Sequence, residues 1–456
     1  MADDNSHRLR SDYSRLSETA PKHIAIIGAG WAGMAAAVRA VQDGHRVTIL
    51  EAARTLGGRA RGVPLTLPDG REISVDNGQH ILIGAYAETL RLMRIVGVDP
   101  QQALLRFPMA LTYPDGTGLS LPDLPTPLDA LVGILRARGW NWREKLALLR
   151  VASRWQRAGF RCDERASVAD LCVSLPPRLM EEFIDPLCVS ALNTPVNQAS
   201  GAVFLRVLRD GLFSHRGGSN FLLPRCDLSA LFPDAAASLL KERGVRQLTG
   251  RRVDVLERDA GQWRVEGELF DSVVLAVPAS ESARILNASL DRVEESVQSQ
   301  LSVWAGTASA LRFKSIATVY AQAKPTGVAP LLSRPMLALR ASDRYPAQFV
   351  FDRDQITPSS QPSRLLAFVI SVHHGERSVL EAAIVEQAKA QLGLSVKPLQ
   401  TIVEKRATFA CTPALVRPPA QIASGLVACG DYIEGPYPAT LEGAVRSGWN
   451  ALGCFS

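Results

Sequence analysis

The sequence has no run of about 18 apolar residues, the length that a helix needs to cross a lipid bilayer. It also has no run of five basic residues, and its 51 Lys and Arg, against 45 Asp and Glu, are scattered along the chain. A net charge of +6 with 21% charged residues does not favour nucleic-acid binding. We therefore expect a protein that is soluble or lies on a membrane surface and that has no nucleic-acid partner.

Paired cysteines and metal-ligand spacings are also missing. The seven cysteines are odd in number and contain no Cys-x-x-Cys pair, so neither a disulfide framework nor a zinc site is indicated. His373 and His374 are adjacent on an expected strand end, where neighbouring side chains face opposite sides, so they do not predict a shared metal. We expect reduced cysteines, no metal and a cytoplasmic protein, with the inner face of the cell membrane as a candidate docking surface.

The chain is long enough for more than one domain. Its 456 residues, 46% of them hydrophobic, exceed the roughly 100–200 residues of a typical domain. Residues 1–20 are polar and are expected to form a disordered tail rather than a secretory signal. The remaining pattern predicts a discontinuous dinucleotide-binding domain over residues 21–84, 221–283 and 421–456. It also predicts a mainly helical insertion over residues 85–220, which faces substrate or membrane, and an α+β substrate domain over residues 284–420.

The N-terminal segment has the pattern of a βαβ unit. The apolar run His23 to Ile27 ends in glycine, the small residues Met34 to Val41 follow, and Arg46 to Glu51 forms a second apolar run. Strand, tight turn, helix and strand within about thirty residues are typical of a parallel sheet. The sequence therefore predicts an α/β fold with a Rossmann-like domain, an interleaved α+β domain and a helical insertion.

The turn between the first strand and the helix reads Gly28-Ala29-Gly30-Trp31-Ala32-Gly33. Gly28 permits the tight bend, Gly30 lets the backbone approach a pyrophosphate, and Gly33 lets the helix pack closely on the strand. Phosphates would lie on the N–H groups at the start of the helix, around Trp31 and Ala32. By itself this motif predicts a dinucleotide and nothing more specific.

Glu51 ends the second strand, eighteen residues after Gly33. A carboxylate at this place accepts hydrogen bonds from ribose hydroxyls, and Ala52 beside it is expected to line the same site. An ordinary surface charge is the alternative for Glu51. The pattern predicts a bound dinucleotide, with NAD and FAD as the two candidates.

The segment Gly57-Gly58-Arg59-Ala60-Arg61 follows Glu51 closely. Its glycines expose backbone N–H groups and an arginine can neutralise a diphosphate, although a glycine loop with solvated arginines is the simpler alternative. In this place the segment resembles the second dinucleotide signature of the large flavin family that contains amine oxidases, protoporphyrinogen oxidases and phytoene desaturases. The resemblance implies FAD as the cofactor, and FAD gives a purpose to Gly58 and Arg59 that NAD leaves unexplained.

Further segments resemble the same family. Asp76-Asn77-Gly78-Gln79-His80 matches the segment that lies along the isoalloxazine ring, and Gly430-Asp431 matches the strand end whose aspartate binds ribityl or pyrophosphate oxygens. Val253, on an expected strand from Arg252 to Glu257, matches the valine whose backbone contacts adenine. The resemblance also implies that a helix begins near Thr440, next to the pyrimidine end of the flavin ring. The dipole of that helix would stabilise the negative charge of the reduced flavin. The implied cofactor residues are Gly28, Gly30, Trp31, Ala32, Gly33, Glu51, Ala52, Gly58, Arg59, Asn77, Gly78, Gln79, Val253, Gly430, Asp431, Thr440 and Leu441.

The middle of the chain departs from amine oxidases and resembles the squalene-associated FAD-dependent desaturase group. The matching text is Asp76 to His80, Ile184 to Cys188, Ala191 to Thr194, and Gly430-Asp431 with Gly435 to Thr440. The activity characterised for this group implies a C30 isoprenoid substrate, hydroxysqualene, whose hydroxyl is replaced by hydrogen to give squalene for hopanoid or sterol synthesis. NADH or NADPH is implied as the external reductant of FAD, and a squalene- or phytoene-synthase-like enzyme as a functional partner.

Such chemistry needs an apolar tunnel that reaches the flavin and an acid that protonates the departing hydroxyl, because hydroxide is a poor leaving group. His80 and Tyr437 are the catalytic candidates, since both lie in segments expected nearest the ring. Glu434 and His215 are further candidates. Structural hydrogen bonding to flavin or backbone is the alternative role of His80 and Tyr437.

Three tryptophans, Trp140, Trp142 and Trp155, lie among arginines in the helical insertion. Aromatic side chains at headgroup depth and cations facing anionic lipid are typical of a membrane interface. An amphipathic helix packed on its own domain gives the same pattern. A membrane surface is therefore a candidate partner of this region.

Other functions remain open on the sequence. An oxidative phytoene or diapophytoene desaturase shares the fold, the FAD and the apolar substrate. An amine oxidase would carry an aromatic cage facing the flavin, for which Tyr437 and Trp449 are available in the C-terminal segment. A prenyl-lipid escort protein shares the fold without FAD, but Glu51, Arg59 and Asp431 argue against it.

Overall fold

The computed structural model describes residues 20–324, 330–371 and 375–455. Nearly all of the expected tail over residues 1–20, and the pair His373 and His374, lie outside the described residues. The strands of the described part are β1 (His23–Ile27), β2 (Arg46–Glu51), β3 (Gly62–Thr66), β4 (Glu72–Asp76), β5 (Leu82–Ile83), β6 (Leu104–Phe107), β7 (Ala110–Thr112), β8 (Gly118–Ser120), β9 (Phe221–Pro224), β10 (Arg246–Thr249), β11 (Leu256–Asp259), β12 (Gln262–Val265), β13 (Glu268–Phe270), β14 (Ser272–Leu275), β15 (Phe313–Ala323), β16 (Met336–Ala338), β17 (Phe349–Asp352), β18 (Leu365–Ser371), β19 (Val396–Phe409), β20 (Gln421–Ala423) and β21 (Leu426–Ala428).

Helices are numbered in chain order through the same ranges. The α-helices are α1 (Trp31–Gln42), α2 (Ala87–Ile95), α3 (Pro100–Ala103), α4 (Leu128–Arg136), α5 (Trp142–Arg157), α6 (Val168–Cys172), α7 (Pro177–Leu179), α8 (Asp185–Leu192), α9 (Gly201–Leu212), α10 (Leu228–Leu231), α11 (Pro233–Glu242), α12 (Ala279–Ala288), α13 (Glu295–Ser309), α14 (Arg353–Ile356), α15 (Arg377–Gln387) and α16 (Leu441–Ala451). Short π-helical turns cover Met180–Ile184 and Ala388–Leu392, and 3₁₀ turns cover Leu290–Arg292 and Leu452–Cys454.

A six-stranded sheet in the order β10-β2-β1-β14-β21-β20 is built from three separate parts of the chain. The strands β10, β2, β1, β14 and β21 pair in parallel, and β20 runs antiparallel at one edge. Residues Ile24 to Ile27 are all buried and alternate between two cores, one with α1 and α16 and one with β11, β12 and β13. A strand covered on both faces reads as a continuous apolar run, and the expected α/β fold is confirmed.

A second, antiparallel sheet has the order β16-β17-β18-β15-β19. Its strands β15, β17 and β18 contribute residues to the wall of the large cavity described below, opposite the parallel sheet. Helices α2 to α9 dominate the chain between β5 and β9, although β6, β7 and β8 also lie there. The segment limits given from the sequence stay a prediction.

The C-terminal helix packs tightly on the first helix because a glycine lies at their contact. A Cβ atom on Gly448 of α16 would lie 2.0 Å from the carbonyl oxygen of Ala32 in α1, so a larger residue would force the helices apart. The later part of α16 therefore lies directly on the first turn of α1.

The expected strand from Arg252 to Glu257 is right only at Leu256 and Glu257 and wrong over its first four residues. Strand β10 ends at Thr249 and β11 begins at Leu256, and Val253 lies in the connection between them. The N–H of Arg251 donates to the carbonyl of Glu51 at 2.9 Å, so this connection is fastened across the end of β2 instead of entering a sheet.

The expectation that three tryptophans suit a membrane interface is also wrong in part. Trp140 and Trp155 are each 6% exposed and pack edge to face on Phe183 and Phe204. Of the three, Trp142 alone is exposed, at 66%. The other two rings are buried because they lie on the inner face of the insertion. The mixture of Arg and apolar residues in the sequence does not predict which tryptophans face inward.

No helix in the described ranges is long and apolar enough to cross a bilayer. The seven cysteines are free thiols. Within the same ranges, His, Cys, Asp and Glu side chains form no group of three that could hold a metal ion.

Candidate active site

A cavity of about 590 Å³ lies at the carboxyl ends of four parallel strands. Strand β1 leads into Gly28, β2 ends at Glu51, β14 leads into Ala276 and β21 leads into Gly430, and all four residues line the cavity. Ligands bind at this edge of open α/β sheets because the turns there expose backbone groups.

The structure brings most of the residues proposed from the sequence to this one cavity. Its wall includes Gly28, Gly30, Trp31, Ala32, Glu51, Ala52, Gly58, Arg59, Asn77, Gly78, Gln79, His80, Val253, Gly430, Asp431, Thr440 and Leu441. Gly33 does not line it, because a Cβ there would lie 2.0 Å from the carbonyl oxygen of Gly28. Gly33 therefore packs the helix on the turn, and Tyr437 lines a second cavity instead.

Two glycine turns are stacked on each other at one end of the cavity. The N–H of Gly57 donates to the carbonyl of Ala29 at 3.0 Å, and a Cβ on Gly58 would lie 3.1 Å from the Cα of Gly30. Gly28 has a φ of +105°, and a side chain there would meet the backbone of Ala276 at 2.6 Å. A side chain is excluded at Gly28 and crowded at Gly58, so the backbone itself forms the surface there.

Glu51 is held in a fixed orientation by backbone donors. Its Oε2 accepts from the N–H of Ala29 at 2.7 Å and its Oε1 from the N–H of Ala53 at 2.8 Å. A carboxylate has about four lone-pair sites, so each oxygen keeps acceptor capacity. Its position on the cavity wall leaves that capacity for ribose hydroxyls.

Arg59 and Asp431 pair directly with each other across the two signature segments. The guanidinium donates to Oδ1 of Asp431 at 2.5 Å and to the carbonyl of Ala407 at 2.8 Å. Burial opposes the charge of Arg59, but the neighbouring Asp431 outweighs it and the pKa of Arg59 is raised. The sequence separated these two residues into independent contacts, whereas the structure makes them one ion pair on the cavity wall.

The segment Asn77 to His80 is fixed from behind. Nδ2 of Asn77 donates to the carbonyl of Arg59 at 2.7 Å, and Nδ1 of His80 lies 2.5 Å from the carbonyl of Gly78. A carbonyl only accepts, so His80 carries its proton on Nδ1 and leaves a lone pair on Nε2. Burial lowers the pKa of His80, which favours this neutral imidazole.

The start of α16 faces the cavity with its positive dipole end. Thr440 caps the helix by accepting from the N–H of Gly443 at 2.9 Å. Glu442, fully buried, accepts from the N–H and hydroxyl of Thr89 at 2.9 and 2.7 Å, and from Arg446 at 2.6 Å. This carboxylate ties the first turn of α2 to the first turn of α16.

A second cavity of about 130 Å³ adjoins the first. Both cavities share the wall residues Ile81, Tyr86, Ser190, Ala191, Leu192, Phe349 and Thr440. The rest of the second wall is mainly apolar and includes Met109, Leu111, Leu187, Val203, Val207, Leu208, Phe221 and Met336. The arrangement can hold a hydrocarbon chain beside the larger cavity.

Tyr437 lies in this second cavity as part of a charged cluster. Asp210 accepts from Nε of Arg206 at 3.0 Å and from Nε of Arg209 at 2.8 Å, and the Tyr437 hydroxyl lies close to the same carboxylate. Burial opposes the charge of Asp210, but these neighbours outweigh it and lower the pKa of Asp210. Burial, and then Asp210, raise the pKa of Tyr437, so the phenol keeps its proton beside an ionised carboxylate.

The aromatic cage of an amine oxidase is not formed by Tyr437 and Trp449. The ring of Trp449 stacks on the guanidinium groups of Arg91 and Arg39, at 4.0 and 5.0 Å, and lines neither of the two cavities. Tyr437 lies in the second cavity, so these two rings do not face each other across the first.

Two further wall residues are absent from the site residues predicted from the sequence, Tyr86 of both cavities and Asn193 of the first cavity. Tyr86 lies on both walls, but no motif or spacing distinguishes it. Asn193 ends α8 with a left-handed φ of 44°, and its Nδ2 donates to Thr408 at 2.9 Å. The signal for Asn193 was its place in the segment Ala191 to Thr194, which resembled the squalene-associated group.

The donor and acceptor set of the cavity fits FAD. A Cβ on Gly30 would meet only the Cα of Gly58, at 3.9 Å, so the two glycine turns leave an open cradle for a diphosphate. Oδ1 of Asn193 and Nε2 of Gln79 are buried on the wall without a hydrogen-bond partner among the described residues. They offer an acceptor and a donor to the polar edge of a flavin ring.

The fold and the site together define a flavin-dependent oxidoreductase. The model of the family of flavin containing amine oxidoreductases matches residues 31–451. The chain belongs to that family, and FAD is its cofactor.

Full-length relatives are hydroxysqualene dehydroxylases. The protein from Zymomonas mobilis is 27% identical over 448 residues, covering 93% of this chain and 97% of its own length. Those from Sinorhizobium fredii and Rhodopseudomonas palustris are 25% and 26% identical, over 94% of this chain and 97% and 96% of their own. Zeta-carotene desaturase of Arabidopsis thaliana is 31% identical over 144 residues, only 28% of this chain and 25% of its own.

Solved structures share the fold over nearly the whole chain. An oxidoreductase from Methanosarcina mazei has a TM-score of 0.69 at 16% identity, covering 94% of this chain and 100% of its own. Cyclohexylamine oxidase from Brevibacterium oxydans has a TM-score of 0.63 at 15% identity, covering 96% and 99%. At these identities the likeness shows the fold alone.

Proposed function

We propose that the protein removes the hydroxyl group of hydroxysqualene and so produces squalene. The observation that carries this proposal is the apolar second cavity that adjoins the cofactor cavity. An apolar pocket beside the flavin suits a long hydrocarbon with a single polar group. Similarity over nearly the full chain to three hydroxysqualene dehydroxylases supports the same substrate.

The reaction is a reduction. The C–O bond breaks, a C–H bond forms, and one hydride and one proton are consumed as water leaves. Bound FAD, reduced by external NADH or NADPH, supplies the hydride. The chain itself holds the substrate in the apolar cavity, excludes bulk water and places one proton donor at the hydroxyl. We place the reaction before hopanoid or sterol synthesis and after a squalene- or phytoene-synthase-like partner.

Product analysis tests this proposal. Purified holoenzyme is incubated without oxygen with NADPH and hydroxysqualene, and in parallel with phytoene and a quinone acceptor. We expect squalene and oxidised NADPH from the first mixture and no coloured polyene from the second. A polyene without squalene would replace the proposal with its main alternative, an oxidative phytoene or diapophytoene desaturase, which the partial similarity to zeta-carotene desaturase favours.

We also propose that the protein binds peripherally to an anionic membrane through an apolar ridge next to the second cavity. The ridge consists of Leu124, Leu128, Leu131, Leu135, Trp142 and Leu146, with exposures from 36% to 66%. Exposed large apolar side chains gathered on neighbouring helices are typical of an interface with lipid or protein. Arg136, Arg138 and Arg143 are exposed beside them and suit anionic headgroups.

The ridge begins at the wall of the second cavity. The hydroxyl of Thr126, just before α4, donates to the carbonyl of Leu212 at 2.6 Å, and Leu212 lines that cavity. The ridge would therefore hold the second cavity close to the bilayer that supplies a lipid substrate.

Liposome binding tests the ridge. The variant Leu128→Glu with Leu131→Glu should lose cosedimentation with phosphatidylglycerol vesicles, because both side chains are already exposed and the charge is repelled by the surface. Val416→Glu, on a side chain 73% exposed elsewhere, is the matched control and should still bind. Equal binding by the ridge variant and the control would refute this role, and so would unchanged binding after charge reversal of Arg136, Arg138 and Arg143.

A further inference from the structure

Tyr86 occupies the place where a proton is needed. Seven residues line both cavities, and three of them carry a hydroxyl: Tyr86, Ser190 and Thr440. The hydroxyls of Ser190 and Thr440 donate to the carbonyls of Leu187 and Tyr437, each at 2.9 Å. A substrate chain in the apolar cavity that reaches toward the cofactor passes Tyr86 at this junction.

We propose that Tyr86 is the catalytic residue that protonates the leaving hydroxyl group of the substrate. The inference rests on the proposed dehydroxylation and names a residue that neither the sequence motifs nor the relatives indicated. As the C–O bond breaks, the phenol proton passes to the departing oxygen and water leaves, while the hydride forms the new C–H bond. Solvent returns the proton to the phenolate after the product has gone.

The two candidates from the sequence are less suited to this task. His80 donates its Nδ1 proton to Gly78 and is held neutral, so Nε2 can accept a proton but has none to give. Tyr437 lies beside the ionised carboxylate of Asp210, and burial, followed by this charge, raises the pKa of the phenol. Moving that proton to a substrate would leave a phenolate beside a carboxylate.

The hydroxyl of Tyr86 lies beside a neutral side chain, Thr440, whose own proton goes to the carbonyl of Tyr437. Burial, followed by nearby Glu442, raises the pKa of Tyr86, so the phenol keeps its proton at neutral pH. A substrate hydroxyl at the junction of the cavities can accept a hydrogen bond from this phenol, and the proton moves when bond breaking makes that oxygen basic.

The position of Tyr86 is set by the contact between two helix starts. Tyr86 directly precedes α2, and its N–H donates to the carbonyl of Ile83 at 3.0 Å. The buried carboxylate of Glu442 accepts from the N–H groups of Glu88 and Thr89 in the first turn of α2, at 3.1 and 2.9 Å. Tyr86 and Thr440 are therefore held against each other before any substrate arrives.

The variant Tyr86→Phe removes the proton and keeps the ring. Holoenzyme is first reduced anaerobically, then mixed with hydroxysqualene while flavin absorbance and squalene are followed. We expect normal FAD content, normal reduction by NADPH and a normal spectral change on substrate binding, but a reoxidation rate lower by roughly 10²–10⁴-fold. Tyr113→Phe, which removes a buried hydroxyl bonded to Glu182 outside both cavities, is the matched control and should reoxidise within about twofold of wild type.

A substrate with a better leaving group separates proton donation from a structural role. The acetate ester of hydroxysqualene loses a carboxylate that needs no proton, so the wild-type to Tyr86→Phe rate ratio should fall toward one with the ester. A reoxidation rate equal to wild type with hydroxysqualene, or the same large ratio with the ester, would overturn the assignment while leaving the proposed function intact. If wild-type enzyme is not reoxidised by hydroxysqualene, the proposed function itself fails and Tyr86 has no such role.

Discussion

Two glycines in the first turn give a matched pair of substitutions, Gly33→Ala and Gly30→Ala, with opposite expected effects. A Cβ at Gly33 would lie 2.0 Å from the Gly28 carbonyl oxygen and 3.0 Å from the Cβ of Ala276. Neither neighbour can move without shifting the turn against β14. Overpacking of this kind costs about 1–3 kcal/mol, so Gly33→Ala should destabilise the protein even without cofactor.

The same methyl group at Gly30 enters the cavity. There it meets only the Cα of Gly58, at 3.9 Å, and the backbone φ of −76° is one that alanine adopts readily. The apoprotein should be unchanged or more stable by about 0.4–1 kcal/mol, because alanine restricts the unfolded chain. The methyl group displaces the diphosphate from its backbone donors, and losing one charge-assisted bond, about 1.5–3 kcal/mol, weakens FAD binding roughly 10- to 100-fold.

Denaturant unfolding of the apoproteins and titration with FAD measure the two effects separately. Gly33→Ala should lower the free energy of unfolding, whereas Gly30→Ala should lower FAD affinity alone. If Gly30→Ala binds FAD as wild type does, or if it destabilises the apoprotein as much as Gly33→Ala, the cavity does not hold the cofactor diphosphate as described.

Three further predictions concern charge and shape. Burial raises the pKa of Asp76 to about 7, so the stability that this carboxyl contributes is full below its unfolded-state pKa near 4 and is lost as pH rises through 7. In urea unfolding, the free energy of unfolding of Asp76→Asn relative to that of wild type should therefore rise by roughly 1–3 kcal/mol from pH 5 to pH 8. Parallel pH profiles of the two proteins would contradict this. Arg59→Gln leaves Asp431 without its cation, so it should weaken FAD binding and reduce the salt dependence of that binding in calorimetric titration. An affinity equal to that of wild type would contradict this. Val207→Trp fills the second cavity and should abolish squalene formation while NADPH still reduces the flavin; retained turnover would place the substrate elsewhere.

The gathering of most proposed cofactor residues around one cavity could be predicted because the motifs are local in sequence. The bend at Gly28, the close packing at Gly33 and the carboxylate of Glu51 each follow from short-range backbone requirements of one βαβ unit. Each residue does its work within its own turn or strand end, so spacing alone predicts its place.

The residues around the second cavity could not be predicted from their spacing in the sequence. Tyr86 and Thr440 meet because Glu442 joins two helix starts 354 residues apart in the chain, from Glu88 to Glu442. Trp140 and Trp142 differ by two positions, yet one is buried and the other exposed, since a helix start lies between them. Such contacts depend on the packing of whole elements, which periodicity does not specify.

The direction in which electrons move between cofactor and substrate distinguishes a dehydroxylase from a desaturase. Holoenzyme reduced by light with EDTA as the electron donor, without oxygen or nicotinamide, then mixed with one equivalent of hydroxysqualene, gives a single turnover. We expect return of the yellow oxidised flavin together with one squalene per flavin. A flavin that stays reduced, or oxidised enzyme that is instead reduced by a polyene precursor, would contradict this.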